Sequence, residues 1–229
     1  MTKRRRVKNI FGNRSSLVAR ALLREPERKW TLSSLAKEGV SLGLASDVLS
    51  KAEIQGYVER AVKGPESYSR LIRKGDLLKD WLNAYTFEQN DHAYYLSTDA
   101  DFLSHCHRYF KQRKIPHALT LYSASRLISP YVKDDRHFIY LDVHREGFAA
   151  LLREMEAQLH LYKLVHGGNV CFVAPFYKSS VFRDSRIIKH YPVVSDLQLY
   201  LDLMTFPPNG AEEADHFLSY LKKKGQSFV

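Results

Sequence analysis

Thr31, Gly39 and Ser41 punctuate the first third of the chain closely enough to dictate its local structure. A threonine or serine hydroxyl accepts from an unpaired amide of a helix's first turn, so Thr31 and Ser41 each mark a helix start. Gly39 tolerates the positive φ that ends a helix. Two short helices joined by Gly39-Val40-Ser41 have the spacing of a helix-turn-helix. The first places Leu32, Leu35 and Ala36 inward. The second runs from about Leu42 to Ile54, with Leu44, Ala45, Val48 and Leu49 at core spacing. Its opposite face carries Gly43, Ser46, Asp47, Ser50 and Lys51, small or polar residues that let a helix sit in a DNA major groove about 12 Å wide.

The flanking sequence completes the pattern. Ser15-Ser16 can cap an earlier helix that reaches about Arg24, with Leu17, Val18, Ala21 and Leu22 on one face and Pro26 beyond its end. After Gln55-Gly56, Tyr57-Val58-Glu59-Arg60 and Tyr68-Ser69-Arg70-Leu71-Ile72 read as strands joined by a turn at Lys63-Gly64-Pro65-Glu66. A helix, a helix-turn-helix and a hairpin follow one another in winged-helix order.

Charge separates this segment from the rest. Of the net +10, all lies in residues 1–75, which hold 17 Lys/Arg and 7 Asp/Glu; residues 76–229 hold 18 of each. Cations spread for solubility would not segregate in this way, whereas a polyanion-binding module concentrates them, because they release counterions condensed on phosphates. Lys3, Arg4, Arg5, Arg6 and Lys8 form a basic tail, and the other twelve lie in sequence with folding signals. The expected DNA contacts are Arg4, Arg5, Arg6 and Arg14, the helix residues Ser41, Gly43, Ser46, Asp47, Ser50 and Lys51, and Arg60, Lys63 and Arg70 on the wing. A winged helix used only for protein contacts is the competing reading, and the charge placement argues against it.

Residues 76–92 read as a connecting helix, with Leu77, Leu78, Trp81 and Leu82 as its stripe, and a polar linker from Glu88 to His92. Residues 93–229 then alternate strand and helix patterns. The clearest strands are His137 to Val143 and Asn169 to Pro175. Helices are expected over Asp99–Lys111, around Phe148, Leu151, Leu152, Met155 and Leu159, from Ser195 to Met204, and over Ala211–Lys224. The expected fold class is α+β or α/β: an N-terminal winged helix-turn-helix, then an α/β domain with a mixed sheet.

No enzymatic or metal centre stands out. His105-Cys106-His107 lacks a second ligand pair at zinc spacing, and alternate helical residues point apart. No phosphate-binding glycine loop or nucleophile elbow is present. Asp142 ends a strand as a nuclease carboxylate would, but without the converging carboxylates that hold Mg²⁺. No cofactor and no metal are expected. No stretch of about 18 apolar residues spans a membrane, the basic N-terminus lacks the apolar region of a secretory signal, and two cysteines make no disulfide framework. A cytoplasmic protein is expected.

Several segments of the C-terminal part resemble the AbiEi family, the antitoxins of type IV toxin–antitoxin systems. They are Ala118-Leu119-Thr120-Leu121-Tyr122-Ser123-Ala124, Gly168-Asn169-Val170 with the strand to Pro175, and Pro192-Val193-Val194-Ser195-Asp196-Leu197-Gln198-Leu199-Tyr200-Leu201-Asp202-Leu203. Gly210-Ala211-Glu212-Glu213-Ala214 follows. Asn209 stands where the family often has arginine. The resemblance implies a non-enzymatic antitoxin that represses its own promoter through the winged helix, on an inverted repeat of double-stranded DNA. It also implies neutralisation of a nucleotidyltransferase-like toxin through the C-terminal domain, a direct complex not being required. In the Ser195–Leu203 run, Leu197, Tyr200, Leu201 and Met204 are spaced as a core stripe, and Gln198 and Asp202, at i and i+4, remain as candidates for a functional contact. The alternative is a DNA-targeted nuclease or nucleotidyltransferase-like enzyme that carries a winged helix.

Overall fold

The computed structural model describes residues 9–143, 145–226 and 228. The chain divides into two compact units between Tyr85 and Thr86, with Phe228 grouped with the first. The division falls beyond the expected boundary at residue 75, because the helix expected to be a connector packs within the first unit.

That unit contains α1 (Ser15–Arg24), α2 (Leu32–Ala36), α3 (Leu42–Ile54), β1 (Val58–Ala61), β2 (Tyr68–Leu71) and α4 (Lys74–Ala84). The caps of α2 and α3 follow the sequence. Thr31 Oγ1 accepts from the Ser34 amide at 3.1 Å while Ser34 Oγ accepts from the Thr31 amide at 3.0 Å, a reciprocal capping box. Ser41 Oγ accepts from the Leu44 amide at 3.2 Å. Gly39 has φ +92°. At α1 the expectation fails. Arg14 occupies the cap position, Ser15 and Ser16 are buried in the first turn, and Ser16 Oγ donates back to the Asn13 carbonyl at 2.5 Å. Asn13, at φ +44°, turns the chain into the helix instead.

Val18, Ala21, Leu22, Leu35, Ala45, Val48, Leu49 and Ala52 make the core of this unit. Leu32 and Leu42 are exposed and Leu44 only half-buried, so not every leucine expected to face inward does so. On α4, Leu77, Leu78 and Trp81 are buried, and the Trp81 ring stacks on Phe11 at 5.4 Å between centroids. Tyr57 donates to Asp80, which ties α4 to the start of the hairpin.

The second unit is an α+β domain on a seven-stranded mixed sheet. Its strands are β3 (Asp91–Leu96), β4 (His117–Leu119), β5 (His137–Leu141), β6 (Tyr162–Leu164), β7 (Val170–Ala174), β8 (Arg186–Ile188) and β9 (Tyr191–Val193), and their spatial order is β6-β3-β7-β5-β4-β9-β8. The β5–β7 and β4–β9 pairs are parallel; the others are antiparallel. The helices are α5 (Phe102–Arg113), α6 (Leu121–Ile128), α7 (Arg145–Gln158), α8 (Asp196–Met204) and α9 (Gly210–Lys223). All five residues of β7 are buried, as its continuous apolar run requires of a central strand covered on both faces.

Residues 88–92 are not a linker. Phe87–Gln89 is a 3-10 turn, Asn90 is buried, and β3 begins at Asp91. Their polarity serves internal hydrogen bonds: Asn90 Oδ1 accepts from the Phe176 amide at 2.8 Å.

Candidate nucleic-acid interface

Ala45, Val48, Leu49 and Ala52 anchor α3 to the core of the first unit. That burial turns the remaining arc outward, and Gly43, Ser46, Asp47, Ser50 and Lys51 are all partly exposed, with Ser41 exposed at the N-terminus. Thirteen residues at 1.5 Å per residue make a helix of about 20 Å. Leu42 is the large exposed side chain of its first turn, and the outward positions after it are Gly43, Ser46, Asp47, Ser50 and Lys51.

The hairpin follows directly. Val58 pairs with Leu71, Glu59 with Arg70, Arg60 with Ser69 and Ala61 with Tyr68. Trp30 extends this ribbon, exchanging both backbone hydrogen bonds with Ser69 at 2.8 Å. The sequence carries no sign of this, since a single bridging residue has no alternation to detect. Lys29 then lies over the Tyr68 ring, 4.7 Å from its centroid.

The three expected wing cations occupy different situations. Lys63 is exposed at the hairpin turn. Arg70 lies opposite Glu59 and pairs with it at 2.9 Å on the exposed surface. Arg60 is held against α3, where its guanidinium donates to Ser50 Oγ at 2.7 Å and lies 3.6 Å from Glu53. Arg60 therefore braces the helix to the hairpin, and Ser50 is engaged by it rather than simply facing solvent. Arg14 is exposed at the start of α1. Arg4, Arg5 and Arg6 lie outside the described residues.

In the second unit, Gln198 and Asp202 are completely buried, as is nearly all of α8. Asp202 Oδ2 accepts from Thr120 Oγ1 at 2.5 Å, and Oδ1 accepts from Gln198 Nε2 at 2.7 Å and Tyr140 Oη at 3.2 Å. Asn90 Nδ2 in turn donates to Tyr140 Oη at 3.2 Å. The pair expected to make an external contact is thus the centre of an internal network linking α8 to β5, the start of α6 and the entry to β3. The i, i+4 spacing puts Gln198 and Asp202 on one face, but the helix is surrounded on all sides, so a polar face is not a solvent face.

The other family-like segments are also structural joints. Gly168 has φ +77°, and a Cβ there would come within 2.2 Å of the Tyr95 carbonyl oxygen. Asn169 beside it accepts from the Ser97 amide and donates to the Ser97 carbonyl, both at 2.8 Å, and so clamps the end of β3 to the start of β7. Ser123 Oγ accepts from the Phe138 amide at 2.7 Å. Asn209 occupies the cap position of α9 and makes no side-chain cap.

His105 and His107 diverge on α5 as expected. His105 Nδ1 lies 2.6 Å from Asp99, His107 Nδ1 lies 2.9 Å from His117 Nε2, and Cys106 is buried between them with its thiol pKa raised by burial. Among the described residues no group of three or more His, Cys, Asp or Glu is placed to hold a metal ion. Asp142 is exposed beyond β5. No helix among the described residues is long and apolar enough to cross a membrane.

A family model described as a transcriptional regulator, AbiEi antitoxin, of a type IV toxin–antitoxin system matches residues 70–220. The chain belongs to the AbiEi family. The match takes in the whole AbiEi sheet and α8, including the Thr120–Gln198–Asp202 network, but begins only at Arg70, after α1, α2 and α3. AbiEi proteins are regulators and not a known enzyme family. No curated protein and no solved structure matches the chain.

Proposed function

We propose that this AbiEi protein is a DNA-binding antitoxin whose first unit is a winged helix-turn-helix. In this reading α3 enters the major groove, Ser41, Gly43, Ser46, Asp47, Ser50 and Lys51 face the bases and adjoining backbone, and the hairpin is the wing. One observation carries the reading: α3 is capped by Ser41, buried on one face only, and followed at once by a hairpin whose turn carries exposed Lys63. Arg14, Lys63 and Arg70 reach phosphates, together with Arg4, Arg5 and Arg6 of the basic tail. Arg60 acts through its contacts with Ser50 and Glu53, setting the angle between helix and wing.

The operator proposed is an inverted repeat upstream of the chain's own gene. A single winged helix reads few base pairs, and each mismatch costs about 1–3 kcal/mol. Two copies on a two-fold site roughly double the discrimination, with half-sites one helical turn or a multiple apart. The second unit is proposed to neutralise a nucleotidyltransferase-like toxin, without a direct complex being required. Two free, buried cysteines fit a reducing cytoplasm.

Footprinting of the full chain over its upstream region tests the proposal. Protection of two inverted half-sites is expected; protection of one unrepeated site, or of none, overturns autorepression as proposed.

A further inference from the structure

A groove of about 810 Å³ opens in the second unit between α5, β4 and the β8–β9 hairpin. It is a separate feature from the buried Asp202 network. Five basic or titratable side chains line it: His107, Lys111, Lys114, His117 and His190. Among the described residues no carboxylate does. Lys111, Lys114 and His190 make no ion pair among the described residues. Like charges gathered without a counter-charge repel one another, and a bound anion relieves that repulsion.

The backbone holds two of these residues in place at some cost. Lys114 has φ +55° at the end of α5, and His190 has φ +77° in the two-residue β8–β9 turn, where Lys189 has φ +47°. Positions of this kind ordinarily take glycine or asparagine. Strained positions occupied by functional side chains cluster at ligand sites. The histidines are also ordered relative to one another. His117 Nδ1 lies 2.9 Å from the Ile115 carbonyl, which only a protonated nitrogen can approach as a donor. His117 Nε2 is then the acceptor for His107 Nδ1–H, which leaves Nε2 of the neutral His107 ring an acceptor, so the lysines and His190 are the groups left to meet an anion.

The far wall of the groove is apolar. Phe182 is half-buried and Ile187 is 68% exposed, a large aliphatic side chain left in water on a strand at the sheet edge. The volume lies in the range of small-molecule sites, about 300–1,000 Å³. Cations at one end and an unpartnered apolar wall at the other match a ligand that carries phosphates and a flat ring system. We propose that this groove binds a nucleoside triphosphate, its phosphates held by Lys111, Lys114 and His190, and its base against Ile187 and Phe182.

Calorimetric titration of the full chain with each of the four common nucleoside triphosphates, and with pyrophosphate, tests this at one ionic strength. Stoichiometric binding of at least one nucleotide, tighter than pyrophosphate, is expected. Lys111→Ala and Lys114→Ala should each weaken it about tenfold, the worth of a lost charge-assisted contact. Ile187→Ser should weaken nucleotide binding while leaving pyrophosphate unchanged. All three positions are exposed, so the melting temperature should not move. Operator binding in a gel shift should also be unchanged in these variants, which separates this site from the proposed DNA interface. Absence of nucleotide binding overturns the proposal. So does binding that survives both lysine substitutions, or binding to pyrophosphate alone. Loss of DNA affinity in the lysine variants without nucleotide binding would instead assign the groove to polynucleotide.

Discussion

Replacing Asp202 with alanine should destabilise the second unit severely, and the size of the effect follows from the contacts. Asp202, Thr120, Tyr140 and Gln198 are all 0% exposed. Alanine removes one acceptor side chain and leaves three donors facing a void: Thr120 Oγ1, Tyr140 Oη and Gln198 Nε2. Each buried donor left unpaired costs about 1–3 kcal/mol. Part of this is offset because the buried carboxyl group no longer has to be desolvated, and Thr120 can turn its hydroxyl. A net loss of about 3–5 kcal/mol is expected, as for other broken buried polar groups. At about 2–4 °C per kcal/mol in a protein of this size, the melting temperature should fall by roughly 10–15 °C. Asp202→Asn keeps one acceptor oxygen but turns an NH₂ group toward other donors, and should cost about 1–2 kcal/mol. Thermal unfolding of the full chain followed by circular dichroism reads both variants, and toxin rescue in growing cells is measured beside it. An alanine variant melting within about 2 °C of the parent would refute the reasoning. An asparagine variant that melts normally but fails to neutralise toxin would show that Asp202 acts on a partner despite its burial.

Four further outcomes are expected. Gly168→Ala should cost several kcal/mol, visible as a lower urea midpoint, because its Cβ would lie 2.2 Å from the Tyr95 carbonyl oxygen at a φ of +77°. Stability should fall on acidification. Burial, as the largest cause, pushes both His117 and His137 down to about 4, while the unfolded side chains titrate near 6.5. The unfolded state therefore takes up protons first, so stability is full above about pH 6.5, declines as the pH drops toward 4 and levels off below. Between pH 7.5 and 5 each histidine should contribute a loss of about 2 kcal/mol, and His117→Gln should remove one share of that dependence in urea titrations. In gel shifts, affinity for duplex DNA should fall about 10³–10⁵-fold between 50 and 200 mM salt if 6–10 phosphates are contacted. Lys63→Ala should weaken all sequences alike, whereas a bulky residue at Ser46 should reduce preference for the operator; the reverse pattern would show that α3 is not the reading helix.

Local chemistry sets much of the first unit without any tertiary contact. Thr31, Gly39 and Ser41 act within four residues of themselves, through a capping hydroxyl or a permitted φ, so their effect can be read in place. The apolar run of β7 and the stripe of α4 are legible for a related reason: burial on both faces of a strand leaves an unbroken apolar run, and burial on one face of a helix leaves a periodic one. The concentration of charge in residues 1–75 is a property of composition alone.

What the tertiary structure decided is whatever depends on a partner distant in the chain. Strands β6, β8 and β9 are three residues each, too short for alternation, and exist because a neighbouring strand completes their hydrogen bonds. Arg60 looks like a wing cation in sequence and is a brace because Ser50 and Glu53 meet it from α3. The groove basic residues come from α5, β4 and a hairpin turn more than 70 positions away, a grouping no spacing rule contains. Gln198 and Asp202 show the difference most clearly. Their pairing at i, i+4 is fixed by the 3.6-residue helical repeat and was readable from the chain. Whether that face met water or Thr120 and Tyr140 depended on how α8 packs against β5 and the start of α6, because burial is a property of the assembled neighbours and not of the helix itself.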